Sequence, residues 1–139
     1  MILRVLHSRM SVKSRDIFQH AKSMLNPENC SEIQSRLLIN RAYYGVYGSI
    51  LNEVENRLFY EIDESNPSVH QRLINVFKDV RFTDSNKSKL AAQISTKLRQ
   101  LKLMRTKADY NLDDNIHFND ASLAIAIGEQ LLELVENLD

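Results

Sequence analysis

The chain has no tryptophan, a single cysteine, three glycines and two prolines in 139 residues. With Cys30 alone, no intramolecular disulfide can form, and a reducing cytoplasm is the expected compartment. So little Gly and Pro leaves few turns for a fold of many short strands. Leu, Ala, Lys, Arg, Glu and Gln recur instead, which favours helices joined by short connections and an all-α class. No apolar run approaches the roughly 18 residues that a membrane span needs, and Met1 to Met10 lack a continuous apolar h-region, so the expectation is a soluble protein that makes no use of a membrane. Also missing are a Gly-rich phosphate loop, a His-Glu-x-x-His pair, a Cys cluster and a nucleophile elbow, which argues against P-loop, zinc-hydrolase and α/β-hydrolase chemistry. His7, His20, His70 and His117 are never three or four residues apart, so no helical metal pair exists. Each reads as a surface or boundary residue, and neither metal nor cofactor is expected.

Net charge is also absent, with 18 basic and 18 acidic residues, but the zero conceals a polarised order. From Lys87 to Lys107 there are seven basic residues and no acid; from Ala108 to Asp139 there are eight acids and no Lys or Arg. Two explanations are open. A basic helix lies against an acidic one and the two compensate, or a cationic face addresses phosphates while an acidic face limits promiscuous binding.

What is present is helical periodicity in one domain, residues 1–139, with a core over about 11–138 and an ambiguous stretch at 1–10. A first helix fits about Val12 to Leu25, with Ile17, Phe18, Ala21, Met24 and Leu25 on one side. Ser31-Glu32-Ile33-Gln34 has the capping-box pattern and opens a long second helix. There Leu37, Tyr44, Leu51 and Leu58, with Ile33, Tyr47 and Val54, trace a stripe to about Tyr60. Gly45 and Gly48 on this helix would let another backbone approach closely. Ser68-Val69-His70-Gln71 repeats the box and starts a third helix carrying Val69, Leu73, Val76, Phe77 and Val80. After a break at Asp84 to Asn86, Leu90, Ile94, Leu98, Leu101, Met104 and Ala108 make the basic segment an amphipathic fourth helix ending near Leu112, its cations projecting away from that stripe. Asn119 caps a fifth helix bearing Leu123, Ile127, Leu131, Leu134 and Leu138. Such elements pack most simply as a four- to five-helix up-and-down bundle.

Two clusters are candidates for chemistry. In Asn40-Arg41-Ala42-Tyr43-Tyr44 the consecutive tyrosines point about 100° apart, so one enters the core while the other borders it. Plain packing accounts for Tyr44; a role at the rim of a groove, with Arg41 on the same face, is the sharper reading. The second cluster, Arg105 to Tyr110, ends the fourth helix. Its Arg105–Asp109 pair is worth about 0.3–0.5 kcal/mol if exposed, and the order is the less favourable one. Asp109, Asp113 and Asp114 also sit where the helix dipole disfavours negative charge. A cation from another helix or subunit would relieve this, and Arg41 is the candidate.

Together the Arg-Ala-Tyr-Tyr stretch, the Ser68-Val69-His70 segment and Arg-x-x-Ala-Asp-Tyr at the end of the fourth helix resemble the HEPN family over roughly Ser31 to Glu136. The resemblance implies a helical bundle, a homodimer with Arg motifs facing a shared cleft, and an RNA or nucleotide target within a toxin–antitoxin or antiviral defence module. A separate nucleotidyltransferase-like antitoxin is the partner it implies. In active relatives an Arg followed four to six residues later by a His supports metal-independent RNA cleavage. Arg105 matches the motif arginine, whereas Asp109 and Tyr110 stand in the histidine window and His117 lies well beyond it. On this resemblance Arg105, Asp109 and Tyr110 are the catalytic candidates, and Arg41, Tyr44, Lys102 and Lys107 are the RNA- or nucleotide-binding ones. As a base, Asp109 would need a raised pKa, which a nearby arginine opposes, so a structural Asp–Arg link is the preferred role. The competing interpretation is a non-catalytic adaptor or dimerisation module, in which the cluster locks helices together and the broad apolar face of the fifth helix binds a partner protein.

Overall fold

A computed structural model describes residues 12–139, and His7 and the stretch at 1–10 lie outside them. The described chain is all helical: α1 (Ser14–Ser23), α2 (Glu32–Glu53), α3 (Val69–Asp79), α4 (Ser85–Tyr110) and α5 (Phe118–Glu136). The five helices pack against one another as an all-α bundle.

Local signals set most of the boundaries. Ser31 Oγ accepts from Gln34 N at 3.1 Å and Ser68 Oγ from Gln71 N at 3.2 Å, each satisfying an orphan amide of a helix start. The Ser68 backbone N–H donates to Asn66 Oδ1 at 2.9 Å, so Gln71 does not complete the reciprocal half of a capping box. Asp84 caps α4 through Asn86 N at 2.8 Å. At α5 the expected Asn119 cap is displaced by two residues. The helix opens after His117, whose backbone N–H donates to Asp120 Oδ2 at 2.9 Å. A carboxylate three residues along reaches back and outcompetes the Asn side chain. At the other end of α2, Val54–Leu58 form one π-helical turn closed by Phe59, whose φ of 56° is left-handed. Helical pairing stops there because that conformation carries the chain out of the ladder.

The core face of α2 is the expected stripe only toward its end. Val54 and Leu58, in the π-helical turn, are buried and Tyr47 and Leu51 pack against the core as expected, but Leu38, Ile39, Ala42, Tyr43, Val46 and Ile50 supply the rest, whereas Ile33 is 73% exposed and Leu37 and Tyr44 are also exposed. Apolar residues therefore surround most of α2, and periodicity alone selects the wrong side when both are apolar. α1 is simpler: Phe18 and Ala21 are buried, with Ile17 and Met24 left outside. α1 sits very close to α2, since a Cβ built on Gly45 would fall 2.8 Å from the backbone N of Phe18. The Phe18 ring then lies against Gly128 of α5.

Charge compensation takes an unexpected route. The acids of α5 pair mainly with α1, in Lys22–Glu129 at 2.9 Å and Arg15–Glu136 at 3.0 Å. Of the seven basic residues between Lys87 and Lys107, Lys87 and Arg105 form ion pairs among the described residues. Much of the positive charge of α4 is thus left facing solvent.

Candidate functional site

α4 buries Ala91, Ile94, Leu98, Leu101, Arg105 and Ala108. Arg105 thus occupies a register position of the apolar stripe, where Met104 was expected and where a cation was not. It is 6% exposed. Its Nη1 lies 3.6 Å from Asp109 Oδ2, and its Nε is fully buried without a hydrogen-bond partner among the described residues. Aromatic rings provide the rest of its surroundings. The guanidinium carbon is 5.3 Å from the centroid of Tyr43, 5.5 Å from Tyr44 and 5.8 Å from Tyr110. Such contacts stabilise a cation by about 0.5–2 kcal/mol each without consuming its N–H donors.

Tyr43 and Tyr44 divide as their 100° separation requires, Tyr43 entering the core and Tyr44 remaining exposed at 40%. Asp109 is fixed from two sides, by Arg105 and by Asn40 Nδ2 at 2.9 Å. Its carboxylate joins α4 to α2, the structural role preferred from sequence. Tyr110 is 70% exposed, and Lys102 Nζ is 3.5 Å from Gln71 Oε1 of α3. These residues converge where α2, α3 and α4 meet.

Arg41 and Lys107 are exposed and make no ion pair among the described residues. Arg41 does not serve the C-terminus of α4; Arg36 does. Its guanidinium donates to the carbonyls of Ala108 at 2.9 Å, Asn111 at 3.3 Å and Asp114. A cation does meet this helix end, but it is Arg36 rather than the expected Arg41, because Arg36 lies about one turn nearer the start of α2, level with the end of α4.

His70, expected at the surface or boundary, is half-buried, and it also belongs to the cluster. Its Nδ1 is 2.7 Å from the Tyr43 hydroxyl, and its ring lies 5.2–5.8 Å from those of Tyr43, Tyr44 and Tyr47. The signal available in the sequence was its place two residues after the Ser68 cap, in the first turn of α3. Burial, followed by the cations Arg105 and Lys102, depresses its pKa below the usual 6.5. Burial likewise raises the pKa of Tyr43, so the phenol stays protonated.

The His70 shift has a measurable sign. A histidine whose pKa is lower in the folded state binds fewer protons than in the unfolded chain, so stability declines as pH falls. The loss begins near pH 6.5 and is complete below the depressed folded value. Thermal unfolding between pH 8 and pH 5 should therefore show a decline that is smaller in His70→Phe. Equal declines in both proteins would show that other groups control it.

No family model matches this chain, and no curated protein or solved structure matches it with significance. Among the described residues no cluster of metal-ligating side chains occurs, and no helix is long and apolar enough to cross a membrane.

Proposed function

We propose that the chain binds RNA or a nucleotide through the Arg105 cluster, with phosphate as the group recognised. The observation that carries this reading is a buried guanidinium with an unpartnered Nε and one long ion contact. A buried charge is expensive unless its donors are used. A phosphate oxygen pair fits the planar donor fork of an arginine. The exposed faces of Tyr44 and Tyr110 suit base stacking, worth about 1–3 kcal/mol per base on single strands. Lys102, Lys107 and Arg41 add positive charge on the same helices.

Metal-independent ribonuclease activity is the catalytic form of this proposal, and Asp109, already held by Asn40 and Arg105, is not its base. Membership of a toxin–antitoxin or antiviral module and a nucleotidyltransferase-like partner follow from the HEPN resemblance. One observation favours the adaptor alternative: Ile33 and Leu37 of α2, Leu103 of α4 and Leu112 just beyond it are large apolar side chains left exposed, as residues that meet a second copy or another protein would be.

Incubation with labelled total RNA in EDTA separates the readings. Cleavage identifies a ribonuclease; intact RNA bound in a salt-sensitive way identifies a binder; neither outcome leaves the adaptor. For a binder, the plot of log affinity against log salt should lose about 0.7 in slope for each phosphate contact removed. Lys102→Ala and Lys107→Ala should each show that loss, and unchanged slopes would remove those lysines from the interface.

A further inference from the structure

We propose that His70 is a ligand-binding residue of this site, an uncharged donor whose Nε2–H is offered to phosphate because the Tyr43 hydroxyl fixes its tautomer. The proposal rests on the RNA reading above and goes further by assigning the chemistry of a residue on a third helix.

Tyr43 is 2% exposed. Its hydroxyl has one hydrogen-bond partner among the described residues, His70 Nδ1 at 2.7 Å. A buried phenol must place its proton somewhere, and Nδ1 is the acceptor at hand. Were Nδ1 itself protonated, two donors would face each other or the phenolic proton would be stranded. Nδ1 therefore accepts, and in a neutral ring the proton resides on Nε2.

The charged and titratable groups around the ring agree with neutrality. α2 presents Tyr43, Tyr44 and Tyr47; α4 presents Arg105 and Lys102. No carboxylate is among the groups that shift it. Nε2 has no partner within the described chain, yet Arg105 Nε is the one fully buried, unpartnered side-chain atom there, so Nε2 reaches the surface. The exposed nitrogen thus carries a proton rather than a lone pair. It can donate to a phosphate oxygen but cannot take a proton from a 2′-hydroxyl.

Two variants and one spectrum test this. A long-range proton–nitrogen NMR correlation at neutral pH should show His70 protonated on Nε2 and bare at Nδ1; a proton on Nδ1 would overturn the assignment. With a short fluorescein-labelled single-stranded RNA, His70→Phe should weaken binding by about tenfold, the effect of losing one hydrogen bond to a charged group. His70→Gln, whose amide nitrogen can reach the Nε2 position, should restore most of the affinity. Displacement of the RNA by AMP would show that one nucleotide phosphate suffices, and resistance to AMP would place the same donor on the polymer backbone. RNA binding by the wild-type chain that His70→Phe leaves unchanged overturns this inference alone. Failure of the wild-type chain to bind RNA at all overturns the RNA reading and this proposal with it. Should His70→Phe fail to fold, the spectrum of the wild-type protein decides.

Discussion

Phe18→Ala should cost about 3–5 kcal/mol, the usual range for deleting a fully buried phenyl ring. At roughly 2–4 °C per kcal/mol for a chain near this size, the melting temperature should fall by about 6–20 °C. Two circumstances place Phe18 at the high end. Its exposure is 0%, and it is seated against glycines of two different helices, Gly45 and Gly128. No neighbouring side chain at those positions can lean into the void, so the cavity stays open. The converse substitution is informative. Gly45→Ala would press a methyl group against the backbone of α1, an overpacking that costs about 1–3 kcal/mol. Thermal and denaturant unfolding measure both; a loss below about 1 kcal/mol for Phe18→Ala would mean that α1 does not dock as described.

The second large effect concerns Arg105. A merely structural cation and a ligand-binding one respond oppositely to Arg105→Met. Methionine retains the length and apolar body that pack under Tyr43, and replacing a poorly satisfied buried charge by an apolar side chain is often neutral or stabilising. Asp109 keeps the Asn40 amide and is partly exposed, so the variant strands no fully buried carboxylate. The expected result is an unchanged or raised melting temperature together with at least tenfold weaker RNA binding. Calorimetry and fluorescence anisotropy read the two quantities independently. A large fall in stability would instead assign Arg105 to holding the helices together.

The legibility of this fold varies with the kind of signal. Helix starts at Ser31 and Ser68 were readable because a hydroxyl cap acts on amides two or three residues away. The close approach at Gly45 was readable because a missing Cβ has few other uses in mid-helix. The rotation of α2 was not: Leu37 and Tyr44 outside, Leu38 and Tyr43 inside, are adjacent in sequence and equally apolar, and only tertiary packing chooses between them. Asp109, Tyr110 and Tyr44, singled out with Arg105 from the sequence, lie around its guanidinium. His70 was legible only through its segment and not as a neighbour of Tyr43, because the hydroxyl that meets it is 27 residues away. Arg36 was missed for Arg41 because helical phase, not composition, decides which guanidinium meets the end of α4.

Arg36 has a counterpart in the π-helical turn that follows α2, where Arg57 donates to the carbonyls of Val135, at 2.8 Å, and Leu138. The last turns of α4 and α5 are thus finished by side chains borrowed from α2 and from the π-helical turn that continues it, and the last turn of α5 contains no basic residue of its own. Fraying at either terminus is thereby coupled to the docking of a distant segment. Substitutions at Arg36, Arg57 and the apolar face of α2 should consequently fail to add, since each draws on the same cooperative unit.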